Sequence, residues 1–344
     1  MSRWGYLRGR RLWGRRGWGG VAAMAAVCTL AIAGTLTPLG DQGPIGHGAA
    51  SSIAQARYAY AQDGRQGSCD DESLDPATGP TDGPTVERIR RRGRLKVGVD
   101  QNSFLWGFRD PATGRLAGFD IDLVHALAKS ILGDANAVQF LTVPTSQRVP
   151  LIKDGTVDMV VRTMTINCAR VHDPENPVAF SNPYFEAGQQ ILAPQGSSIT
   201  GFNETLNGKK VCTAIGSTGA QTIDPDNKEA DGAHGSQVLQ VPNQLDCLVR
   251  LQLGIVDAVF TDNALAAGQA AQDPEVHLVG QPVTNEPYGV AMNTGEPDLV
   301  RKVNAVLDAY RAGGTDSAWM QSYRRWLGDD LPGLTGPPAP KYRQ

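Results

Sequence analysis

One pattern of helix, glycine turn and buried strand occurs twice in this chain, and this repetition constrains the fold more than any other feature. In the first copy a helix ends at a turn containing Gly155, and residues 157–161 follow as an apolar strand. In the second copy a helix ends at Gly254, and residues 256–260 form the strand. Glycine suits the left-handed position that ends a helix, and β-branched runs suit buried parallel strands. The repetition therefore predicts two similar α/β lobes.

Polar residues stand at the carboxyl ends of both predicted strands. Arg162, Thr163 and Thr165 follow the first strand, and Thr261 and Asp262 follow the second. Ligands of open α/β sheets bind beyond the carboxyl ends of the strands. These residues therefore predict a ligand cleft between the two lobes.

Charge is spread unevenly along the 344 residues. Six of the 32 basic residues are arginines within residues 1–20, which leaves 26 basic against 35 acidic residues in the remainder. A body this acidic lacks the positive surface on which nucleic-acid binding depends, so we expect no nucleic-acid partner. With 41% hydrophobic and 19% charged residues, the chain is expected to be globular and long enough for two domains.

The arginine-rich start precedes an apolar run, which is the pattern of a secretory signal or an N-terminal membrane anchor. Residues 1–39 are therefore predicted to take the protein out of the cytoplasm and to leave it membrane-tethered. Three fates stay open for this segment: lipid attachment at Cys28, cleavage at the small-x-small site of residues 31–33, or retention as an uncleaved anchor. Residues 40–83, rich in Gly, Ala and Pro, are predicted to be a flexible tether, and residues 329–344 a Pro-rich extended tail.

Four further cysteines suit an exported protein, in which disulfides persist. They are Cys69, Cys168, Cys212 and Cys247, and the sequence allows three pairings. Cys212 lies in a strand-like run and Cys247 in a helical one, so we favour a Cys212–Cys247 disulfide within one lobe. The other pair, Cys69–Cys168, would join the tether to the folded domain. The sequence has no CxxC motif and no Cys/His cluster, and we expect no metal and no other cofactor.

An ordered set of short stretches resembles a known family. The stretches are GRLKVGV at 93–99, GFDIDL at 118–123, FSNPY at 180–184, VDAV at 256–259, PYGVA at 287–291 and YRRWL at 323–327. Together they resemble the family 3 extracellular solute-binding proteins, the polar amino-acid receptors of ABC importers. With its cysteines and long N-terminal arm, the chain is most similar to the glutamine/glutamate-binding lipoproteins of that family.

The resemblance implies a fold and a mode of action. The fold is the type II periplasmic-binding-protein fold, in which a two-crossing hinge joins two α/β lobes around the ligand cleft. Lobe 1 is expected to comprise residues 84–192 plus 283–328, and lobe 2 residues 193–282. Ligand binding would close the hinge. The implied partners are a free amino acid and the membrane permease of an ABC transporter, and we expect a monomer.

The resemblance also assigns residues to the two charged groups of a free amino acid. Arg170 matches the arginine that clamps the α-carboxylate, and Asp262 matches the aspartate that binds the α-ammonium. Thr163 is expected to supply a backbone contact to the ammonium, and Thr165 hydroxyl or N–H contacts. The remaining matches form the loop whose N–H groups meet the carboxylate from the other lobe: Ser217, Thr218 and Gly219.

Side-chain selection is expected to depend on arginines. Arg148 resembles the residue that acidic amino-acid receptors place against the distal carboxylate of the ligand, and Arg162 would add positive potential. A guanidinium has only donors and fits a carboxylate better than an amide, which ranks glutamate and aspartate before asparagine and glutamine. The ranking fails if Arg148 only caps its helix or pairs with Asp154. Asp100 and Phe104 complete the predicted ligand contacts, although core packing is an equal alternative for Phe104.

Two other functions compete with import. One is an amino-acid sensor that reports to a membrane protein, for which the same domain and tether would serve. The other is a dehydratase-like enzyme on this fold. The five histidines are scattered and form no recognisable nucleophile–base arrangement, and Asp262 opposite Arg170 suits the holding of a zwitterion. We therefore expect a binding protein and not an enzyme.

Overall fold

The computed structural model of the protein describes residues 72–223 and 234–343. The export segment, most of the tether, Cys28 and Cys69 lie outside the described residues, so the predictions for them stay predictions. Within the described part, none of the helices combines the length and the apolar character that crossing a membrane requires.

The secondary structure alternates between strands and helices along the described residues. The helices are α1 (Pro84–Arg92), α2 (Phe119–Leu132), α3 (Arg148–Lys153), α4 (Cys168–Val171), α5 (Thr218–Thr222), α6 (Gln244–Gln252), α7 (Asn263–Gln272), α8 (Pro297–Arg311) and α9 (Ala318–Trp326). The strands are β1 (Ser73–Leu74), β2 (Leu95–Val99), β3 (Asn102–Ser103), β4 (Gly107–Arg109), β5 (Leu116–Ala117), β6 (Val138–Thr142), β7 (Met159–Val160), β8 (Val178–Phe180), β9 (Phe185–Ala187), β10 (Gln189–Pro194), β11 (Lys210–Ala214), β12 (Gln237–Val241), β13 (Ala258–Asp262), β14 (Val276–Val279), β15 (Glu286–Tyr288), β16 (Ala291–Asn293) and β17 (Tyr342–Arg343).

Two five-stranded sheets share one design. The first has the order β6-β2-β7-β16-β8, and the second has the order β12-β11-β13-β10-β14. In each sheet three parallel strands, with β2 or β11 in the middle, are followed by two strands that pair antiparallel. We call the half built on the first sheet lobe 1 and the half built on the second sheet lobe 2. The sheets confirm the predicted type II binding-protein fold.

Two short strands run between the lobes and pair with each other. β9 leads out of lobe 1 and β15 leads back into it, and their antiparallel register places Phe185 opposite Tyr288. This pair is the two-crossing hinge that the fold requires. The predicted division of the chain places a boundary between residues 192 and 193, which lies inside β10, a strand of the second sheet.

Apolar residues cover both faces of each sheet. In lobe 1 a large cluster rich in aromatic rings packs against α1, α2, α8 and α9, and a smaller one lies under α3 and α4. Lobe 2 has a cluster against α6 and α7 and another on the opposite face of its sheet, where Phe202 stacks on Phe260. Burial of each sheet on both faces explains the continuous apolar runs from which the strands were predicted.

The predicted disulfide of lobe 2 is confirmed. Cys212 of β11 and Cys247 of α6 are bonded, with their Cα atoms 5.5 Å apart, so the bond fixes this helix to the sheet. Cys168, at the start of α4, is also in a disulfide. Its predicted partner, Cys69, lies outside the described residues, and that pairing stays a prediction.

The two ends of the described chain meet on lobe 1. β1 and β17 form a parallel pair, and Asn304 of α8 donates hydrogen bonds of 2.8 Å to the Ser73 hydroxyl and to the Leu74 carbonyl. The Ser73 hydroxyl in turn donates to the carbonyl of Phe180. Residues 72–83 therefore differ from the expected flexible tether: composition predicted a spacer, but buried hydrogen bonds hold this part on the domain. We call the β1–β17 pair the terminal clip.

Candidate functional site

A small polar cavity lies where the carboxyl ends of the two sets of parallel strands face each other. Both lobes contribute to its lining, which consists of polar side chains. The lining residues are Arg148, Thr163, Thr165, Arg170, Gln189, Ser217, Thr218, Gln244, Thr261 and Asp262. Seven of the eleven predicted ligand contacts are therefore brought together in one place.

Arg170 reaches the cavity from α4 in lobe 1. The Asn167 side chain caps this helix by accepting from the Arg170 N–H, and the guanidinium donates to the carbonyl of Thr165 at 2.7 Å and to that of Gly216 at 3.3 Å. Burial lowers the pKa of Arg170, while the carboxylates of Glu286 and Asp262 act against this shift. No carboxylate forms an ion pair with Arg170 among the described residues, so the guanidinium is positioned to bind an anion.

Asp262 faces the cavity from the end of β13 in lobe 2. Its carboxylate accepts hydrogen bonds from the Tyr288 hydroxyl at 2.5 Å and from the Gln189 amide. Burial and the negative charge of Glu286 raise the pKa of Asp262 to about 7, although Arg148 and Arg170 favour its charged form. A buried carboxylate without a cationic hydrogen-bond partner is costly when ionised, so a ligand ammonium at this position would relieve the cost.

The loop before α5 brings lobe 2 backbone close to the hinge. Ser217 is the N-cap of α5: its hydroxyl accepts from the N–H of Ala220 at 3.0 Å and donates to the carbonyl of Ala214. The Thr218 hydroxyl accepts from the Gln189 amide at 2.9 Å. A Cβ atom on Gly219 would lie 2.7 Å from the Gln189 Oε1 atom, so a larger residue at this position would require the Gln189 side chain to shift.

Thr163 holds an unusual backbone conformation beside the cavity. Its φ of +40° lies in the left-handed region, which residues other than glycine rarely adopt. The Thr163 N–H lies 3.2 Å from both the Asp120 carboxylate and the Tyr184 hydroxyl, and Tyr184 donates to Asp120 at 2.8 Å. Burial raises the pKa of Asp120 to about 7. The Thr163 N–H is occupied by these two partners, so the backbone group that Thr163 can contribute to ligand binding is its carbonyl oxygen.

Arg148 neither pairs with Asp154 nor merely caps its helix. Its guanidinium donates to three backbone carbonyls: those of Thr145 at 2.9 Å, Arg162 at 3.2 Å and Gly216 at 3.2 Å. Burial, together with the positive charges of Arg170 and Arg162, lowers its pKa. Gly216 belongs to lobe 2, so Arg148 and Arg170 both bind the same carbonyl across the cleft.

Four predicted ligand contacts do not line the cavity. Asp100 and Arg162 form an ion pair of 2.9 Å, and the Arg162 side chain is fully buried behind the cavity wall. Phe104 packs edge-to-face on Phe108, with ring centroids 4.9 Å apart, and its carbonyl abuts Gly268 of α7, which supports core packing for this residue. Gly219 makes its contact with Gln189 behind the lining residues.

Sequence reasoning missed two of the residues that line the cavity, Gln189 and Gln244. Gln189 begins β10 opposite Asp262 in the sheet register, and nothing in its neighbourhood indicated this pairing. Gln244 begins α6 and enters the cavity only because the lobes are closed. Thr261 also lines the cavity: its place at the carboxyl end of the second predicted strand pointed to the cleft, but it was not assigned a ligand contact.

The fold and this cavity define a two-lobed binding protein, and comparison with known sequences gives its family. Residues 95–329 match the sequence model of the bacterial extracellular solute-binding proteins, family 3. The chain belongs to this family.

Named relatives agree with that placement. The chain is 35% identical to the ABC transporter glutamine-binding protein GlnH of Bacillus subtilis (strain 168), over 72% of this chain and 85% of that protein. It is 29% identical to the glutamate-binding protein GluB of Corynebacterium efficiens, over 70% of this chain and 79% of the relative.

Solved structures show the same architecture. An ancestral arginine-binding protein bound to arginine has a TM-score of 0.61 and 37% sequence identity, covering 69% of this chain and 99% of its own. Holo ArgBP from T. maritima has a TM-score of 0.59 and 28% identity, covering 70% of this chain and 99% of its own.

Proposed function

We propose that this protein captures a free amino acid with an acidic or amide side chain outside the cytoplasmic membrane and delivers it to the permease of an ABC importer. The observation that carries the proposal is the placement of Arg170 and Asp262 in one cavity, on opposite lobes. A zwitterion has one anionic and one cationic group, and each needs a buried partner of opposite charge.

The α-carboxylate would bind the Arg170 guanidinium, with Thr165 and the Ser217–Gly219 loop as further donors. The α-ammonium would bind Asp262 and the carbonyl oxygen of Thr163. A charge-assisted hydrogen bond is about twice as strong as a neutral one, so these contacts would supply most of the affinity. Ligands with only one of the two groups, such as an amine or a carboxylic acid, would leave a charged side chain unpaired.

Closure of the two lobes would couple capture to delivery. The described arrangement is closed: the Trp106 indole N–H donates to the carbonyl of Ala264 at 2.9 Å, and two arginines of lobe 1 bind the Gly216 carbonyl of lobe 2. Since Asp262 and Arg170 lie on different lobes, a zwitterion contacts both only in this form. Greater affinity for the closed form shifts the equilibrium toward it.

Donor groups at the side-chain end of the cavity favour glutamate and aspartate, followed by glutamine and asparagine. Arg148 lines the cavity, and the guanidinium groups of Arg162 and Arg170 lie near it. The named relatives support this class, because one binds glutamine and one binds glutamate. The name of the B. subtilis relative also supports an ABC transporter as the partner.

Calorimetric titration of the purified protein tests the proposal. We expect binding of glutamate, aspartate, glutamine or asparagine, weaker binding of arginine and histidine, and no binding by the Arg170→Ala variant. Arg91→Ala is the matched control, because Arg91 is exposed on α1 far from the cavity lining. A folded protein that binds none of these amino acids would refute the proposal. An Arg170→Ala variant with unchanged affinity would refute the site.

A further inference from the structure

A chain of polar side chains crosses the cleft behind the cavity wall. It begins at Asp100, whose carboxylate pairs with the Arg162 Nη2 atom at 2.9 Å. The Arg162 Nη1 atom donates to the Thr145 hydroxyl at 3.0 Å, and this hydroxyl donates to the Gln244 Oε1 atom at 3.3 Å. Asp100, Arg162 and Thr145 belong to lobe 1 and Gln244 to lobe 2. Only Gln244 lines the cavity. We call these four residues the amide relay.

The chemistry of its members fixes the direction of the amide relay. A guanidinium has donors and no acceptor, so the Thr145 oxygen must accept from Arg162. Within the described part of the chain, the acceptor that the structure gives to the Thr145 proton is the Gln244 Oε1 atom. The carbonyl end of the Gln244 amide is thereby turned toward lobe 1, and the NH₂ group is the end left for the cavity.

Asp100, the first residue of the amide relay, is fixed in place by several hydrogen bonds. One Asp100 oxygen accepts from the backbone N–H groups of Gln101 at 2.8 Å and Asn102 at 3.1 Å, and the other accepts from the Ser103 hydroxyl at 2.7 Å. Asp100 is 4% exposed and Arg162 is fully buried. A buried pair with this many hydrogen bonds has little freedom to reorient, so it can fix the groups beyond it.

Gln244 is also fixed on the side of lobe 2. Its backbone carbonyl accepts from the Gln269 amide of α7 at 2.9 Å, and its side chain is buried at the start of α6. Arg148 also lines the cavity and donates to the carbonyl of Thr145, the residue whose hydroxyl binds the Gln244 amide, and a guanidinium has only donors. This end of the cavity therefore presents two sets of N–H donors.

We infer that Gln244 is a specificity-determining residue that donates to the side-chain oxygen of the bound amino acid, and that Asp100, Arg162 and Thr145 are positioning residues that set its orientation. The inference rests on the proposed function and adds the group that selects the side chain. A carboxylate or an amide carbonyl can accept from Gln244. A ligand guanidinium or ammonium would meet N–H donors at this end of the cavity, which disfavours cationic side chains.

Titration of the full-length chain with glutamate, glutamine, norvaline and arginine tests this role. Norvaline has the same α-groups and a similar stem but no polar end, so it reports the rest of the site. In Gln244→Leu we expect the affinity for glutamate and glutamine to fall about 10- to 100-fold, as for the loss of a hydrogen bond to a charged or polar group, and that for norvaline to stay within about twofold.

Gln244→Glu is the second variant at this position and keeps the shape of the side chain. It replaces a donor by a carboxylate, so we expect a larger loss for glutamate than for glutamine and a gain for arginine. Should Gln244→Leu fail to fold, judged by circular dichroism and thermal unfolding, this variant still tests the inference.

The positioning role is tested at Thr145. Thr145→Val removes the hydroxyl and frees the Gln244 amide to turn, so we expect the ratio of glutamate to norvaline affinity to fall several-fold. Thr145→Ser restores the hydroxyl and should restore the ratio, which a merely structural role for Thr145 would not require.

Equal losses for norvaline and glutamate in Gln244→Leu, or an unchanged ratio in Thr145→Val, would overturn the inference and leave the proposed function standing. Absence of any amino-acid binding by the unaltered protein would overturn the proposed function itself.

Discussion

Lobe 1 and lobe 2 have the same sheet design but carry opposite charges into the cleft. Among the described residues, the buried arginines all belong to lobe 1: they are Arg148, Arg162 and Arg170. Lobe 2 contributes the buried carboxylate of Asp262. The cores differ as well: lobe 1 is packed with aromatic rings and carries the terminal clip, whereas lobe 2 has fewer rings and a disulfide that joins its sheet to α6. Under the proposed function, neither lobe alone would satisfy a zwitterion, so selectivity for it would depend on closure.

The two lobes are stabilised internally by different features, and this difference predicts the largest effect. Replacing Cys212 and Cys247 by alanine should lower the free energy of unfolding of lobe 2 by about 3–4 kcal/mol, the loop-entropy value for a sequence separation of 35 residues. Urea unfolding measures the loss, and hydrogen exchange locates it. If protection falls equally in both lobes, the view that the Cys212–Cys247 disulfide stabilises mainly lobe 2 is wrong.

The division of charge predicts the next effect. Asp262→Asn should weaken amino-acid binding about 100-fold, because the ligand ammonium loses its anionic partner, while the Tyr288 hydroxyl keeps an acceptor. Calorimetry measures the affinity, and thermal unfolding confirms the fold. Glu275→Gln is the control, since Glu275 is an exposed carboxylate of lobe 2. Retention of affinity in Asp262→Asn would show that lobe 1 binds the ligand without the charge of lobe 2.

Burial and Glu286 raise the pKa of Asp262 to about 7. We therefore expect ligand affinity to increase with pH and the stability of the ligand-free protein to decrease with pH. Ligand ammonium needs the ionised carboxylate, so affinity should fall about tenfold per pH unit as the pH drops below about 7. The ligand-free protein binds more protons than the unfolded chain between the ordinary pKa of an aspartate and about 7. Its stability should therefore decrease as the pH rises through that window.

Titrations in buffers of different ionisation heat measure this linkage as proton release on binding near pH 6 and none near pH 8. Asp120 has a similar raised pKa in lobe 1, but it contacts Tyr184 and Thr163 and does not line the cavity. Asp120→Asn should therefore keep the proton release. An affinity that is flat from about pH 5.5 to 8 would contradict the assignment to Asp262.

The smallest predicted effect concerns the terminal clip of lobe 1. Deletion of residues 341–344 removes the strand pair, the hydrogen bond from the Lys341 N–H to Asn182 and that from the Tyr342 hydroxyl to Asp308. We expect a loss of about 1 kcal/mol in the free energy of unfolding and unchanged ligand affinity, since this segment lies away from the cavity lining. Weakened binding would show that the clip also affects closure.

Much of the fold could be predicted from the sequence, because the spacing of apolar residues and the glycine turns that end helices are local properties of the chain. The strands predicted at 157–161 and 256–260 correspond to β7 (Met159–Val160) and β13 (Ala258–Asp262), with polar residues at their carboxyl ends. The Cys212–Cys247 bond follows from a strand and a helix that pack together. The terminal clip was not accessible: Ser73 and Tyr342 are more than two hundred residues apart, and composition alone indicates a tether and a tail.

The candidate site also contains residues that could be predicted from the sequence and residues that could not. Residues at strand ends, such as Thr165 and Asp262, reach the cavity because topology places them there. Asp100 and Arg162 also stand at strand ends, yet their opposite charges pair with each other and leave the lining. Gln189 and Gln244 carry no motif, and they become part of the site only through the register of β10 and the approach of the lobes.

The terminal clip also defines how a mechanical load would pass through the molecule. A load applied at residue 72 enters β1, where hydrogen bonds to Lys341, Phe180 and Asn304 pass it into lobe 1. The parallel strands of the clip then bear the load in shear, with several hydrogen bonds sharing it at once. Lobe 2 lies outside this force path, so the proposed opening and closing of lobe 2 would not be opposed by a load on the clip.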